Sequence, residues 1–177
     1  MIAFITDWTS FRYCPKCGSG DMQFNGKKLF CRACGFTYFF NTATAVCALI
    51  QDTQGRLLVV TRAQNPGQGT LDLPGGFVDP GETTEQALHR EIQEELGVNI
   101  THCQYFASAP NTYPYRGVKY PTCDNAFQCQ IDHPECIQAT DDISDAQFIA
   151  PNDIIVKDFG MRSIQKIVAQ FLQKNLP

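Results

Sequence analysis

An α/β protein in two parts is what the sequence predicts: a small cysteine-held module, followed by a larger domain of strands and amphipathic helices. Three observations carry this. Two C-x2-C pairs fall at Cys14, Cys17, Cys31 and Cys34, apolar and β-branched runs occupy Thr42 to Ile50 and Leu57 to Thr61, and helical periodicity marks Leu88, Ile92 and Leu96. A chain of 177 residues is long enough for this plan. At that size roughly 70% of the unfolded surface is buried on folding, without help from disulfides.

Composition removes other classes. Charged residues make up 18% of the chain and no segment is low-complexity, which excludes an intrinsically disordered protein. No apolar run approaches the roughly 20 residues that cross a bilayer, and Met1 to Ile5 is too short and lacks a basic flank for a signal peptide. A cytoplasmic protein without a membrane partner is expected. The 9 cysteines are an odd number, so a complete disulfide framework would leave one thiol over.

The module is assigned to residues 11–40. Cys14-Pro15-Lys16-Cys17-Gly18 and Cys31-Arg32-Ala33-Cys34-Gly35 each bring two thiolates toward one ion, and Asn25-Gly26 between two short strand-like segments signals a hairpin. Four sulfurs fill a tetrahedral shell and leave no place for water. Such a closed site is structural, with Zn²⁺ supplying folding energy that a short segment cannot raise by burial. The pattern resembles a zinc ribbon. Residues 11–40 carry Arg12, Lys16, Lys27, Lys28 and Arg32 against Asp21, a net of +4, while the remainder holds 9 bases and 17 acids, a net of −8. So modest a basic charge beside so acidic a domain argues against nucleic-acid binding, and a scaffold or homodimer-forming role is expected instead.

The larger domain is assigned to residues 41–177. Its two apolar runs, separated by the turn-like Gln51 to Gly55, predict a hairpin. Leu71-Asp72-Leu73 then leads into Pro74-Gly75-Gly76. Thr83 with Gln86 forms a capping box and Gly97 a stop, so a helix is predicted over 84–96 with Leu88, Ile92 and Leu96 on its buried stripe. Glu91, Glu94 and Glu95 at i, i+3 and i+4 share adjacent faces of that helix. A solvated acidic face is one account of them. Such faces normally interleave Lys or Arg, however, and the nearby cation is Arg90, so divalent cations with oxygen ligands are the better account. The paired glycines let the backbone come close, making the Gly76 carbonyl a candidate ligand. A last helix is predicted from Met161 to Leu176, with Ile164, Ile167, Val168, Phe171 and Leu172 apolar.

Residues 76–98 fit G-x5-E-x7-R-E-U-x-E-E-x-G-U, U being aliphatic, at Gly76, Glu82, Arg90, Glu91, Ile92, Glu94, Glu95, Gly97 and Val98. This is similar to the signature of the Nudix hydrolases. The resemblance implies an α/β/α sandwich with a mixed sheet, preceded by the zinc ribbon. It implies that Glu91, Glu94 and Glu95 carry Mg²⁺ or Mn²⁺, that Glu82 assists, and that Arg90 pairs with a carboxylate to hold the loop-helix-loop in shape. It implies hydrolysis of a nucleoside diphosphate linked to another moiety, with metals stabilising the leaving phosphate and activating water. No covalent nucleophile is needed, so Cys47, Cys103, Cys123, Cys129 and Cys136 are read as ordinary thiols. One more carboxylate is expected from the acidic stretch Asp141 to Phe148, Asp142 first and Asp145 second, against the alternative of a solvated turn.

A ribbon ahead of such a domain resembles the bacterial NADH pyrophosphatases and a plant subgroup acting on FAD and ADP-ribose. After the box, the NADH enzymes carry Ser-Gln-Pro-Trp-Pro-Phe-Pro-x-Ser; this chain has Ser108-Ala109-Pro110-Asn111-Thr112-Tyr113-Pro114-Tyr115, without the glutamine and tryptophan. Those enzymes also carry a further domain ahead of the ribbon, where this sequence has Met1 to Phe11. Tyr113, Tyr115 and Arg116, with Lys119 and Tyr120, suit a loop that stacks a base and contacts phosphate; a proline-stiffened hairpin is the alternative. An ADP-containing small molecule, NADH, ADP-ribose or FAD, is the expected substrate. The rivals are a non-catalytic Nudix sensor and an enzyme of RNA caps that uses the ribbon to hold nucleic acid.

Overall fold

The computed structural model describes residues 11–175. They form two compact units, one of residues 11–42 with 112–121 and one of residues 43–111 with 122–175.

In the first unit, β1 (Met22–Phe24), β2 (Lys28–Cys31) and β3 (Thr37–Phe39) make an antiparallel sheet in that order. Asn25 closes the predicted turn, its side-chain oxygen accepting the amides of Lys27 and Lys28 at 3.3 and 3.2 Å. Each cysteine pair sits on a tight turn of the same design: the Gly18 amide donates to the Cys14 carbonyl at 2.8 Å, and that of Gly35 to Cys31 at 2.9 Å. β3 was not predicted, three residues being too few for a period-2 pattern to register. The tip of a long hairpin, residues 112–121, completes the unit.

The second unit holds β4 (Ala43–Ile50), β5 (Leu57–Arg62), β6 (Leu71–Asp72), α1 (Thr84–Leu96), most of β7 (Ile100–Tyr115) and β8 (Val118–Ile131), β9 (Ile143–Ile149) and α2 (Arg162–Asn175). One sheet runs β4-β8-β7 with β4 parallel to β8, and the other runs β6-β5-β9 with antiparallel pairs. The expected hairpin of β4 with β5 is corrected here. A Gln51–Leu57 bridge joins the residue after β4 to the start of β5, and the two strands then enter different sheets. Both are buried on both faces, so each needs partners of its own rather than the other as an exposed edge.

Side-chain alternation divides the core. Val46, Ala48 and Ile50 of β4, Leu58 and Val60 of β5, and Phe127 and Cys129 of β8 pack against Ala87, Leu88, Ile92 and Leu96 of α1. Each large aliphatic side chain buried there contributes roughly 1.5–3 kcal/mol. From the intervening β8 positions, Asp124 meets Ser163 of α2, and Phe106 of β7 stands edge-on to Phe171 at 6.1 Å. This is the mixed sheet with helices that the sequence predicts. No helix among the described residues is long and apolar enough to cross a membrane.

Candidate active site

The site begins with a backbone arrangement. Residues 74–78 run against β4, the Val46 amide donating to the Gly76 carbonyl at 2.9 Å, Ala48 to Pro74 at 2.9 Å and Val78 to Thr44 at 3.0 Å. The approach is so close that a Cβ at Gly75, whose φ is +140°, would strike the Val46 carbonyl. At Gly76 a Cβ would occupy the space of the Glu91 carboxylate. The pair therefore lies directly beneath the helix that carries the glutamates.

That helix starts and stops as the sequence predicts. The Gln86 amide donates to Thr83 Oγ1 at 3.2 Å, Gln86 Oε1 accepts the Thr83 amide at 2.9 Å, and Gly97 closes the far end in the left-handed region. Arg90 is the hub of its polar face. Its guanidinium grips Glu82 with Nε at 2.8 Å and a terminal nitrogen at 2.9 Å, reaches Glu91 at 2.8 Å and Glu94 at 3.0 Å, and donates to the Phe77 carbonyl at 3.0 Å. Arg90's hydrogen bonds, aided by the Asp79 amide, hold the Glu82 carboxyl down to about 2. Glu91 behaves differently: burial pushes its carboxyl up, against the pull of Arg90.

Glu95 is held by the backbone of the glycine pair. It is 5% exposed and accepts the Gly75 amide at 2.8 Å. Burial pushes its carboxyl up to about 8, the Gly75 amide opposing and the charges of Glu91, Asp72 and Asp142 adding to the rise. Asp142 is thus among the groups whose field reaches Glu95, although its own side chain is exposed. A clamp brings it there. Thr140 Oγ1 donates to the carbonyls of Glu94 at 2.5 Å and Glu95 at 3.2 Å, and its amide donates to Glu95 at 3.0 Å, tying the segment before Asp141 and Asp142 to the last turn of α1. Asp145 lies further along, opposite Thr61 in the β5–β9 ladder.

Two buried carboxylates escape a reading by sequence. Asp72 accepts Arg62 at 2.7 Å and the Leu73 amide at 2.8 Å, bracing the strand just before Pro74. Asp124 accepts Ser163 Oγ and, at 3.4 Å, Thr122. Burial pushes both up, and an acid alone in an apolar run, as in Leu71-Asp72-Leu73, is the signal that was available for the first.

The donor set suits divalent cations. One guanidinium serves Glu82, Glu91 and Glu94, and the carboxyl groups of Glu95, Asp141 and Asp142 add further oxygen donors near them. The cysteines suit zinc more sharply. Their four sulfurs lie within 4.8 Å of one another, with Cys14–Cys34 and Cys17–Cys31 each at 3.7 Å. A tetrahedron with Zn–S bonds of about 2.3 Å has edges of about 3.8 Å.

The NUDIX domain profile matches residues 41–171. The chain belongs to the Nudix family. An NAD-capped RNA hydrolase NudC of Stutzerimonas stutzeri is 34% identical over 113 residues, 63% of this chain and 40% of that protein. The NudC of Pseudomonas entomophila is 25% identical over 166 residues, 93% of this chain and 57% of its own length. The chain thus spans about half the length of these curated relatives. Among solved structures, a NUDIX hydrolase from Nitrosomonas europaea superposes with a TM-score of 0.69 over 93% of this chain and 92% of its own, at 18% identity. The chain also matches a bifunctional NMN adenylyltransferase/ADP ribose pyrophosphatase from Francisella tularensis, with a TM-score of 0.59 at 28% identity over 78% of this chain and 42% of that one. The tyrosines and arginine expected to contact substrate, Tyr113, Tyr115 and Arg116, stand at a hairpin tip in the same unit as the ribbon, with Arg116 and Gly117 forming the turn at φ +47° and +83°.

Proposed function

We propose that this protein is a metal-dependent pyrophosphohydrolase that cleaves the diphosphate of an ADP-containing molecule, with NAD(H) the first choice and ADP-ribose and FAD next. The observation that carries this is the set of carboxylates on α1, fixed in place by Arg90 and Gly75 and left short of positive charge. Glu91, Glu94 and Glu95, with the Gly76 carbonyl, would hold Mg²⁺ or Mn²⁺. Bound there, the ions would neutralise the pyrophosphate oxygens and lower the pKa of an attacking water.

The chain's own part is positioning. Arg90 sets Glu82, Glu91 and Glu94 at fixed angles, so little reorganisation remains when substrate arrives. The Gly75 amide orients one oxygen of Glu95 and leaves the other for a ligand. Asp142, carried on the Thr140 clamp, is proposed as the carboxylate that takes the proton from water, with Asp145 second. The cysteines outside the ribbon have no part in this chemistry. The choice of an NAD-type substrate is supported by relatives named for NAD-capped RNA. An NAD-capped RNA presents the same diphosphate bond and is the second reading.

A screen of NADH, NAD, ADP-ribose, FAD and dinucleoside polyphosphates with Mg²⁺ or Mn²⁺ tests the proposal. Mononucleotide products from NADH are expected. If every compound survived under both metals, the non-catalytic sensor would become the better reading.

A further inference from the structure

We infer that Arg62 and Asp72 are positioning residues: their buried ion pair holds the glycine loop beneath Glu91 and Glu95 at a fixed spacing from the segment that carries Asp142. The chemical meaning of that spacing rests on the hydrolase reading, whereas the coupling itself does not. Strand β5 lies between β6 and β9 in one sheet. β6 runs on into Pro74-Gly75-Gly76, and β9 is entered from Asp142. Arg62, the last residue of β5, therefore stands between the two segments that the proposed chemistry must bring together.

Backbone pairing alone is thin at this end of the sheet. β6 is two residues long, Leu71 pairing with Thr61 and Asp72 with Val60. On the other side the β5–β9 register slips between Thr61 and Arg62. Thr61 pairs with Asp145 but Arg62 with Ile143, so Ser144 is the extra residue of a bulge, its hydroxyl donating to the Thr61 carbonyl at 3.3 Å. A bulge re-aims the residues beside it. Ile143 stays in the core around α1, and one step further the Ala63 amide donates to the Asp142 carbonyl at 2.8 Å.

The side chain of Arg62 supplies what the ladder lacks. A terminal nitrogen donates to Asp72 at 2.7 Å and Nε to the Pro66 carbonyl at 2.7 Å, two bonds from one rigid plane. Its main chain is gripped as well, the amide donating to Thr70 at 3.0 Å and the carbonyl accepting Gly69 at 2.9 Å, so residues 66–70 are wrapped on Arg62. Asp72, 6% exposed, passes the constraint on: its other oxygen accepts the Leu73 amide at 2.8 Å, and three residues after Asp72 the Gly75 amide reaches Glu95 at 2.8 Å. A buried ion pair adds little net stability over apolar groups of the same volume, so what this one contributes is geometry.

Amide hydrogen exchange followed by NMR, on the full zinc-loaded chain without Mg²⁺, tests the coupling. Asp72→Asn keeps the shape and an acceptor for Leu73 but removes the charge. It should speed exchange at Gly75 and at Ala63 together, each by at least about ten-fold, while Leu88 and Ile92 in α1 keep wild-type rates. Faster exchange at Gly75 with Ala63 unchanged would make Asp72 a local brace and overturn the inference, as would unchanged rates at both. If Asp72→Asn failed to fold with Arg62 left unpaired, the double variant Arg62→Met with Asp72→Leu, which removes both charges, should fold and show the same paired loss; protection retained at both amides there would overturn the inference equally. With NADH and Mg²⁺ the folded variant should lose about a hundred-fold in kcat, the scale of a misplacement of about 1 Å, with KM nearly unchanged. A raised KM at wild-type kcat would overturn the positioning role. Wild-type protein that cleaved no nucleotide would overturn the hydrolase reading and the positioning role with it, whereas the paired exchange loss would still support the coupling.

Discussion

Glu95 carries the most unusual electrostatics of the box. Its carboxyl lies at about 8 in the folded chain against 4.5 for an ordinary glutamate. A raised folded-state value means that the stability associated with the protonated group is complete below about 4.5 and is lost as pH rises toward 8. Metal-free protein should therefore melt at progressively lower temperature across that window, and Mg²⁺, which needs the carboxylate, should restore more of the loss at the alkaline end. Thermal melts in EDTA and in Mg²⁺, at closely spaced pH values, check this. Glu95→Gln should flatten the metal-free profile. A wild-type profile that rises across the same window would contradict the assignment. Glu82 runs the other way: its carboxyl is held to about 2, so the stability it confers is present above 4.5 and is lost as pH falls toward 2. Glu94→Gln and Glu95→Gln should each lower turnover by about a hundred-fold to a thousand-fold, on the scale of removing a transition-state electrostatic group, while circular dichroism stays unchanged.

The loop-helix-loop was the most legible element, because its signals are local. Thr83 and Gln86 cap each other three residues apart, Gly97 ends the helix, and both predicted ends agree with α1. What lay outside the reach of the sequence depends on distant pairings. The Thr140 clamp spans 46 residues to Glu94, so nothing near either residue announces it. β4 and β5 look like a hairpin because they are adjacent in the chain, yet their burial on both faces sends them to separate sheets. The acidic stretch was expected at the site by resemblance, and the Thr140 clamp, which ties that stretch to the end of α1, supports the proposal for Asp142. Thr140→Val should cost roughly 1–3 kcal/mol in lost carbonyl caps, lower the melting temperature by several degrees, and raise the Mg²⁺ concentration required for half-maximal activity. Thr140→Ser should restore both. An unchanged Mg²⁺ requirement in the valine variant would reduce Thr140 to a structural role.

At the scale of the molecule, composition already contained the two parts, a basic cysteine-rich module and an acidic domain. It did not reveal that residues 112–121, far along the chain, join the first. That hairpin tip explains why tyrosines and cations of the middle segment belong with those of the ribbon. The hydrophobic core around α1 draws entirely on the second unit. Cys14→Ser should accordingly reduce zinc from about one per chain to near zero and collapse the dispersed ribbon resonances, while signals from the α1 core persist. Loss of both sets together would show that the two units fold as one.

The most direct measurement of the central claim is product analysis of NADH incubated with the protein and Mg²⁺, followed by chromatography or phosphorus NMR. The account predicts that AMP and reduced nicotinamide mononucleotide appear in equal amounts, that EDTA stops their formation, and that Glu94→Gln and Glu95→Gln form them about a hundred-fold to a thousand-fold more slowly. Intact NADH after prolonged incubation, with ADP-ribose and FAD equally untouched under Mg²⁺ and Mn²⁺, would contradict it.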